Sequence, residues 1–203
     1  MSDGHYFDDD PTVPSSPTAV EVSLPDVSLS LTSDRGVFSS ERLDAGTKFL
    51  LLEAPPLGRN EVVLDLGCGW GPISCVAALR APDARVWAVD VNSRARDLTT
   101  TNAATIEASD RVTVAAPDDI PADIRFTRIF SNPPIRVGKA ALHELLLRWL
   151  PQLTPDGVAH LVVQKHLGSD SLAKWLTGQG FSATRLVSRS GFRILEVQPR
   201  KDS

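Results

Sequence analysis

The stretch from Val62 to Pro72 constrains the fold of this chain most strongly, because its pattern predicts a buried strand, a glycine-rich turn and the start of a helix. Residues 62–66 are apolar apart from one acid, as a parallel strand covered on both faces requires. Glycine then recurs at alternate positions, where it lets the backbone approach a ligand that a Cβ atom would exclude: Gly67, Gly69 and Gly71. The pattern predicts a nucleotide-cofactor loop, with a tight turn that needs glycine only for steric reasons as the alternative.

Two acids near this turn narrow the choice of ligand. The spacing is G-x-G-x-G, and Pro72 stands where a dinucleotide fingerprint has its third glycine. Asp65 precedes the turn and suits a cationic ligand, such as the ammonium and sulfonium of S-adenosylmethionine, better than a phosphate. The next predicted strand, residues 86–90, ends in Asp90, where a carboxylate can accept hydrogen bonds from both hydroxyls of a ribose. The glycine-rich turn and the acid at the end of the next strand together predict a nucleoside-containing cofactor.

The order of patterns along the chain predicts one α/β domain. Strands and helices alternate from residue 61, which implies a parallel sheet with right-handed crossovers. The short connection 188–191 forces an antiparallel hairpin at the end of that sheet. Upstream, alternating apolar residues around Pro25-Asp26 predict a β-hairpin, followed by a helix from Asp44 to Glu53. The predicted strands of the sheet are 62–66, 86–90, 111–115, 127–131, 158–164, 183–187 and 192–197, and its helices are 71–81, 93–107, 140–150 and 171–179.

Composition excludes several classes of protein. The 203 residues suit a single domain, and no apolar run reaches the roughly 18 residues of a membrane span. The first ten residues lack the apolar centre of a secretory signal, and two cysteines supply neither a disulfide framework nor a zinc site. We therefore expect a cytoplasmic protein without membrane or metal. The net charge is −4, but all seven acids of residues 1–34 precede the first base, so the remainder is mildly basic and compatible with a nucleic-acid partner.

The fourth predicted strand of the sheet ends in Asn132-Pro133-Pro134. Ligands of open α/β sheets lie beyond the carboxyl ends of the strands, so Asn132 should face the same crevice as the glycine turn. The prolines hold the Asn132 side chain and the Pro133 carbonyl in extended geometry, which presents two fixed acceptors to the hydrogens of a primary amine. Gripping both N–H bonds favours the pyramidal amine and aims its lone pair at an electrophilic methyl group. A strand-ending turn is the alternative interpretation, but the cofactor motifs upstream favour catalysis.

These motifs resemble those of class I S-adenosylmethionine-dependent methyltransferases, in the branch that methylates amines. Three further segments are similar to the catalytic domain of small-subunit rRNA guanine-N2 methyltransferases, the "methyltransferase small" family: Gly36-Val37-Phe38-Ser39, Asp44-Ala45-Gly46 and Asn132-Pro133-Pro134-Ile135-Arg136-Val137-Gly138-Lys139. The resemblance covers about residues 5–197. It implies a Rossmann-like class I fold, with a mostly parallel seven-stranded sheet, an antiparallel C-terminal hairpin and a small N-terminal β-hairpin extension. The expected division is a flexible acidic, proline-rich arm at 1–18 and one methyltransferase domain at 19–203, made of a hairpin and helix at 19–57 and a core at 58–203.

The resemblance also assigns roles by position. It implies that Asn132 and Pro133 are catalytic and bind the target amine. Many relatives have an aromatic residue at the position of Ile135 that stacks on the target base, so Phe38 is the candidate for stacking here. Arg35, Lys165 and His166 are further candidates for RNA contacts because they lie on loops predicted at the rim of the crevice, with a solvated surface charge as the alternative interpretation of each. The cofactor residues are Asp65, Gly67, Cys68, Gly69, Gly71, Asp90, Val91 and Asp118, with Asp119 as a substitute for Asp118 at the adenine amino group; the substrate residues are Phe38, Pro134, Ile135, Arg136 and Lys139.

The expected function is methyl transfer from S-adenosylmethionine to the exocyclic N2 amine of a guanine, with ribosomal RNA or the small ribosomal subunit as partner. Two alternatives stay open. One keeps the chemistry and changes the acceptor to a protein glutamine amide or a small-molecule amine, since any planar amine fits the Asn-Pro-Pro motif. The other is a non-catalytic module that binds RNA or assists assembly. The sequence does not predict an oligomeric state.

Overall fold

The computed structural model describes residues 13–134 and 138–200, in which the chain forms nine strands and five helices. The strands are β1 Thr18–Ser23, β2 Ser28–Ser33, β3 Val62–Leu66, β4 Arg85–Val89, β5 Val112–Ala115, β6 Phe126–Ser131, β7 Leu153–Gln164, β8 Phe181–Arg189 and β9 Phe192–Pro199. The helices are α1 Ala45–Glu53, α2 Pro72–Arg80, α3 Ser93–Thr105, α4 Lys139–Trp149 and α5 Ser169–Gly178, with short 3-10 turns at Pro117–Asp119, Leu150–Gln152 and Lys165–Leu167. No helix of these two ranges is long and apolar enough to cross a membrane.

The main sheet has the strand order β5-β4-β3-β6-β7-β9-β8. Strands β3 to β7 run parallel, whereas β9 is antiparallel to both β7 and β8. This confirms the predicted Rossmann-like sheet with an antiparallel C-terminal hairpin. The turn of that hairpin contains only Ser190 and Gly191, whose φ angles of 51° and 81° suit a two-residue turn between twisted strands.

Helices cover both faces of the sheet and bury residues 63–66 of the central strand. Consecutive side chains of β3 point to opposite faces, with Val63 in the cluster beneath α1, α2 and α3 and Leu64 in the cluster beneath α4 and α5. Burial on both faces explains why residues 62–66 are a continuous apolar run rather than an alternating one. Because β4 and β6 flank β3, the segments that follow these three strands meet at one edge of the sheet.

The N-terminal hairpin is joined to the core through α3. Strands β1 and β2 pair antiparallel, as the alternating pattern predicts. The buried Asn102 of α3 accepts a hydrogen bond from the Thr32 amide at 2.8 Å and donates to the carbonyl oxygens of Thr32 and Trp70 at 2.8 and 2.7 Å. One amide side chain thus connects the hairpin, α3 and the glycine turn.

Candidate active site

The glycine turn after β3 has three glycines in the left-handed region, with φ angles of 78°, 58° and 88° at Gly67, Gly69 and Gly71. A Cβ atom at Gly69 would meet nothing within 4 Å, so this glycine faces open space. A Cβ atom at Gly71 would instead lie 2.9 Å from Thr99 Oγ1 and 3.2 Å from Thr99 Cα. Gly71 is therefore accounted for by packing against α3, and it also caps α2, which begins at Pro72, one residue after the predicted start at 71.

Asp65, the acid inside β3, is fully buried. Its Oδ2 accepts hydrogen bonds from the Ser74 amide at 3.0 Å and the Ser74 hydroxyl at 2.6 Å, which ties β3 to the first turn of α2. Its Oδ1 has no hydrogen-bond partner among the described residues. Burial raises the pKa of Asp65 to about 7, although the bonds from Ser74 oppose the rise. A buried acceptor without a donor suits a nearby cation.

Cys68 occupies the turn between the first two glycines and is buried. Burial raises the pKa of its thiol well above the usual range, and the charges of Asp90 and Asp65 act in the same direction. The side chain is therefore a neutral thiol that fills space beside Thr99, whose Oγ1 lies 3.5 Å from the sulfur.

Asp90 directly follows β4 and braces the glycine turn. Its Oδ2 accepts a hydrogen bond from the Gly69 amide at 2.9 Å, and its Oδ1 accepts one from the Asn92 amide at 3.0 Å. Burial raises the pKa of this carboxyl, and those two amides counteract the rise. Each carboxylate oxygen can accept a further hydrogen bond. Asp90 borders a cavity of about 350 Å³, which is also lined by Gly67, Val91, Pro134 and Trp149.

A second cavity of about 430 Å³ adjoins the first and shares Val91, Pro117 and Arg148 with it. Asp118 lies at its edge with a 90% exposed side chain, and its Oδ1 is 2.8 Å from Arg148. Arg148, in the last turn of α4, therefore stands between both cavities and the acid that follows β5. Sequence patterns gave no indication of this arginine, because a base near a helix C-terminus is common for electrostatic reasons alone.

Asn132 follows β6 and has both hydrogens of its amide engaged. Its Nδ2 donates to Asp44 Oδ1 and to Thr47 Oγ1, each at 3.0 Å. Because a carboxylate only accepts hydrogen bonds, the contact with Asp44 places the NH₂ group on that side and leaves Asn132 Oδ1 as an acceptor. Asp44 caps α1 as the sequence predicts, but its contact with Asn132 was missed.

A narrow cleft of about 20 Å³ separates Asn132 from the glycine turn. Phe38 lines its lip with 49% of the side chain exposed. The loop that carries Phe38 is held in place by hydrogen bonds from Asn92 to the Gly36 carbonyl and from Arg94 to the Arg35 carbonyl, at 2.8 and 2.6 Å. The cleft is thus formed jointly by the glycine turn, the segment after β6, the start of α1 and the loop that carries Phe38. Its polar lining residues include Ser39, Asp44, Thr47 and Asn132.

The remaining substrate candidates are distributed around this edge of the sheet. Pro133 is buried, and Pro134 lines the 350 Å³ cavity. Lys139 is the first residue of α4 and is exposed, as are Arg35, Lys165 and His166. Ile135 and Arg136 lie outside the described residues. Among the described ranges, no group of three or more His, Cys, Asp or Glu side chains could hold a metal ion.

Comparison with known proteins places this geometry in context. The family model for the methyltransferase small domain matches residues 28–196. The uncharacterized protein YbxB of Bacillus subtilis is 29% identical over 199 residues, which cover 96% of this chain and 98% of that protein. Ribosomal RNA small subunit methyltransferase C of Shewanella loihica is 35% identical over 166 residues, covering 76% of this chain and 46% of that protein.

Among solved structures, the T. thermophilus 16S rRNA N2 G1207 methyltransferase in complex with AdoMet and guanosine superimposes with a TM-score of 0.73 at 22% identity. The match covers 94% of this chain and 52% of that one. The chain thus spans about half the length of these rRNA methyltransferases and nearly the whole of YbxB.

Proposed function

Because this chain belongs to the methyltransferase small domain family, we propose that it methylates the exocyclic N2 amine of a guanine in ribosomal RNA. S-adenosylmethionine is the cofactor of this family. The observation that carries the proposal is the Asn132 side chain, whose amide hydrogens are fixed by Asp44 and Thr47 and whose oxygen is left as an acceptor beside the glycine turn. Relatives that share this domain are named as methyltransferases of ribosomal RNA.

The residues around the crevice fit this cofactor, which supplies an electrophilic methyl group on a sulfonium. Asp90 has acceptor capacity for the ribose hydroxyls and stands at the edge of the 350 Å³ cavity. Gly69 leaves open space beside the turn, and the buried Asp65 carboxyl favours a cation nearby. Val91 and Asp118 border the adjoining cavity, where the adenine would lie. Gly67 and Cys68 complete the turn.

The chain's own groups would activate the amine by orientation. Asn132 Oδ1 and the Pro133 carbonyl hold its two hydrogens, which favours the pyramidal nitrogen with a directed lone pair. Fixing the Asn132 amide before the substrate arrives avoids reorganisation during the reaction. The methylated nitrogen then loses a proton readily, so a strong general base is not needed.

The experiment that tests this function measures transfer of labelled methyl groups from S-adenosylmethionine. The acceptors are purified ribosomal subunits, naked rRNA and total protein from cells that lack this gene, and Asn132→Ala serves as the control enzyme. Label in rRNA that depends on Asn132 and maps to guanine N2 would support the proposal. Label in protein would move the acceptor to a glutamine amide. No label, despite tight cofactor binding, would leave a small-molecule amine or a module that only binds RNA.

Phe38 is expected to stack on the acceptor base, since it lies at the lip of the cleft that contains Asn132. We predict that Phe38→Ala raises KM for RNA roughly tenfold, because base stacking contributes about 1–3 kcal/mol. Steady-state kinetics with the RNA acceptor measure this effect. Leu52→Ala is the matched control, because Leu52 is also apolar and 40% exposed but is not among the residues that line the cleft. Equal effects of the two substitutions would contradict a stacking role.

Cofactor affinity is expected to depend on pH through Asp65. With a pKa of about 7, the free carboxyl is half protonated near neutrality, whereas a neighbouring cation favours the ionised form and lowers the pKa in the complex. Binding therefore releases a proton, and the affinity should rise about tenfold from pH 6 to pH 8. Calorimetry in two buffers of different ionisation enthalpy measures both the affinity and the number of protons released on binding.

The matched control for this pH dependence is Asp65→Asn. The amino group of the ligand also titrates, near pH 8, and contributes a pH dependence of its own. The part of the rise in cofactor affinity that is due to Asp65 is the difference between the rise in the natural protein and the rise in Asp65→Asn. If Asp65→Asn binds with the same slope and the same proton release as the natural protein, the proton does not come from Asp65.

A further inference from the structure

We propose that Asp44 selects guanine by accepting the N1–H that neighbours the N2 amine, while Asn132 holds the amine itself. This inference rests on the proposed function and adds a residue that determines specificity. Capping of α1 accounts for only part of what Asp44 does in the structure, because the same carboxylate also reaches into the cleft and contacts the catalytic amide.

The two oxygens of Asp44 are used unequally. Oδ1 accepts from Asn132 Nδ2 and from the Gly46 amide, each at 3.0 Å, and from the Thr47 amide at 3.5 Å. Among the described residues, the contact recorded for Oδ2 is a long one of 3.4 Å with the Gly46 amide. Within residues 13–134 and 138–200, no arginine, lysine or histidine forms an ion pair with this side chain. Asp44 therefore presents a negative oxygen with acceptor capacity at the edge of the cleft.

The carboxylate that carries Oδ2 lies next to the group that would bind the amine, because its other oxygen, Oδ1, contacts Asn132. Asp44 Oδ1 and Asn132 Nδ2 are in hydrogen-bond contact, so the carboxylate and the Asn132 amide line adjacent positions of one cleft. A ligand that places its amine on Asn132 Oδ1 brings the neighbouring ring atom towards Asp44. The chemistry of that ring atom then decides whether the contact is attractive or repulsive.

Guanine is the nucleobase whose exocyclic amine neighbours a ring N–H. In adenine and cytosine the ring nitrogens beside the amine carry lone pairs, and in a glutamine amide the neighbouring atom is a carbonyl oxygen. A carboxylate attracts an N–H and repels a lone pair, and hydrogen bonds to charged groups discriminate more strongly than neutral ones. Asp44 and Asn132 together therefore match the N1–H and N2 amine of guanine.

The test compares two acceptor RNAs that differ in one base. One carries guanine at the methylated position, and the other carries 2-aminopurine, which keeps the 2-amino group but has a lone pair at N1 and no oxygen at C6. The Asp44 variants separate the effect at N1 from that of the missing oxygen. We expect the natural protein to favour guanine in kcat/KM by about 100-fold or more, because the mismatch sets the Asp44 carboxylate against a lone pair.

Asp44→Asn retains a good helix cap but replaces the free acceptor by a donor. We expect it to lower kcat/KM for guanine by about 100-fold and to reduce the preference over 2-aminopurine below about tenfold. Asp44→Ser, which caps helices with a shorter and uncharged side chain, should reduce the preference in the same way. Affinity for S-adenosylmethionine should change less than about twofold in both. Glu41→Gln, which removes an exposed acid from the same segment, should leave the preference intact.

The outcomes separate this inference from the function on which it rests. If the natural protein does not methylate guanine N2 in any RNA, the proposed function fails and the inference fails with it. If it does, and Asp44→Asn keeps the full preference for guanine, the inference alone is overturned. An equal loss on both RNAs would likewise overturn it, because a purely structural role of Asp44 would lower both rates together.

Discussion

Asn132→Ala is expected to lower kcat by about 100- to 1000-fold, the loss typical when one preorganised polar group is removed from a transition state. The substitution deletes the oxygen that would accept a hydrogen from the amine. It also leaves Asp44 and Thr47 without the amide that joins them across the cleft. Single-turnover methyl transfer to the RNA acceptor measures the chemical step without interference from product release.

Cofactor binding provides the control for that result. Asn132 is not among the residues that line the two large cavities, so Kd for S-adenosylmethionine should stay within about threefold of the natural value. The free energy of unfolding should be measured in parallel, because Asn132 contacts the start of α1. An alanine variant that retained half of the natural rate would remove Asn132 from the mechanism.

Asp90→Ala is expected to raise Kd for S-adenosylmethionine by about 100-fold or more. The substitution removes the acceptor proposed for the ribose, and it removes the brace between the Gly69 amide and the segment after β4. Hydrogen bonds to charged groups are worth about 1.5–3 kcal/mol each, and two or more are lost. Calorimetric titration measures the change directly.

Asp97→Ala is the control for the loss of a negative charge in Asp90→Ala. Asp97 on α3 lies a short distance along the chain and is exposed, so Asp97→Ala removes the same charge from the same part of the protein. Its Kd should change less than about twofold, since exposed charges are screened by water and salt. Comparable Kd values for the two variants would contradict a direct role of Asp90.

Much of the fold follows from patterns of burial in the sequence. A run such as residues 62–66 is apolar because both of its faces are covered, and the alternation around Pro25 reflects one buried face of β1 and β2. The start of β7 was missed, since Pro155-Asp156-Gly157 has the composition of a turn. In the structure Leu153 already pairs with Phe126, across a register shift that local composition does not encode.

Part of the site could likewise be predicted from local sequence patterns, whereas another part depends on contacts between residues that are far apart in the chain. Gly67, Asp90 and Asn132 could be predicted to meet, because each follows a parallel strand and the carboxyl ends of such strands share one edge. The contact of Asp44 with Asn132 could not, since the two residues are 88 positions apart and the capping role of Asp44 already explained its presence. Arg148 was missed because its partner Asp118 lies 30 positions away along the chain, in the segment that follows β5.

The narrowness of the cleft beside Asn132 has a consequence for the acceptor RNA. Its volume of about 20 Å³ holds roughly one water molecule, so a purine can reach Asn132 only by presenting its edge. In a Watson–Crick pair, cytosine occupies the N1–H and the N2 amine of guanine, which are the atoms proposed to bind Asp44 and Asn132. In the proposed binding mode, a guanine could not be paired and methylated at the same moment. The free energy needed to open the pair would then enter the reaction barrier, and methylation would be fastest where the RNA has not yet folded or keeps that guanine in a loop.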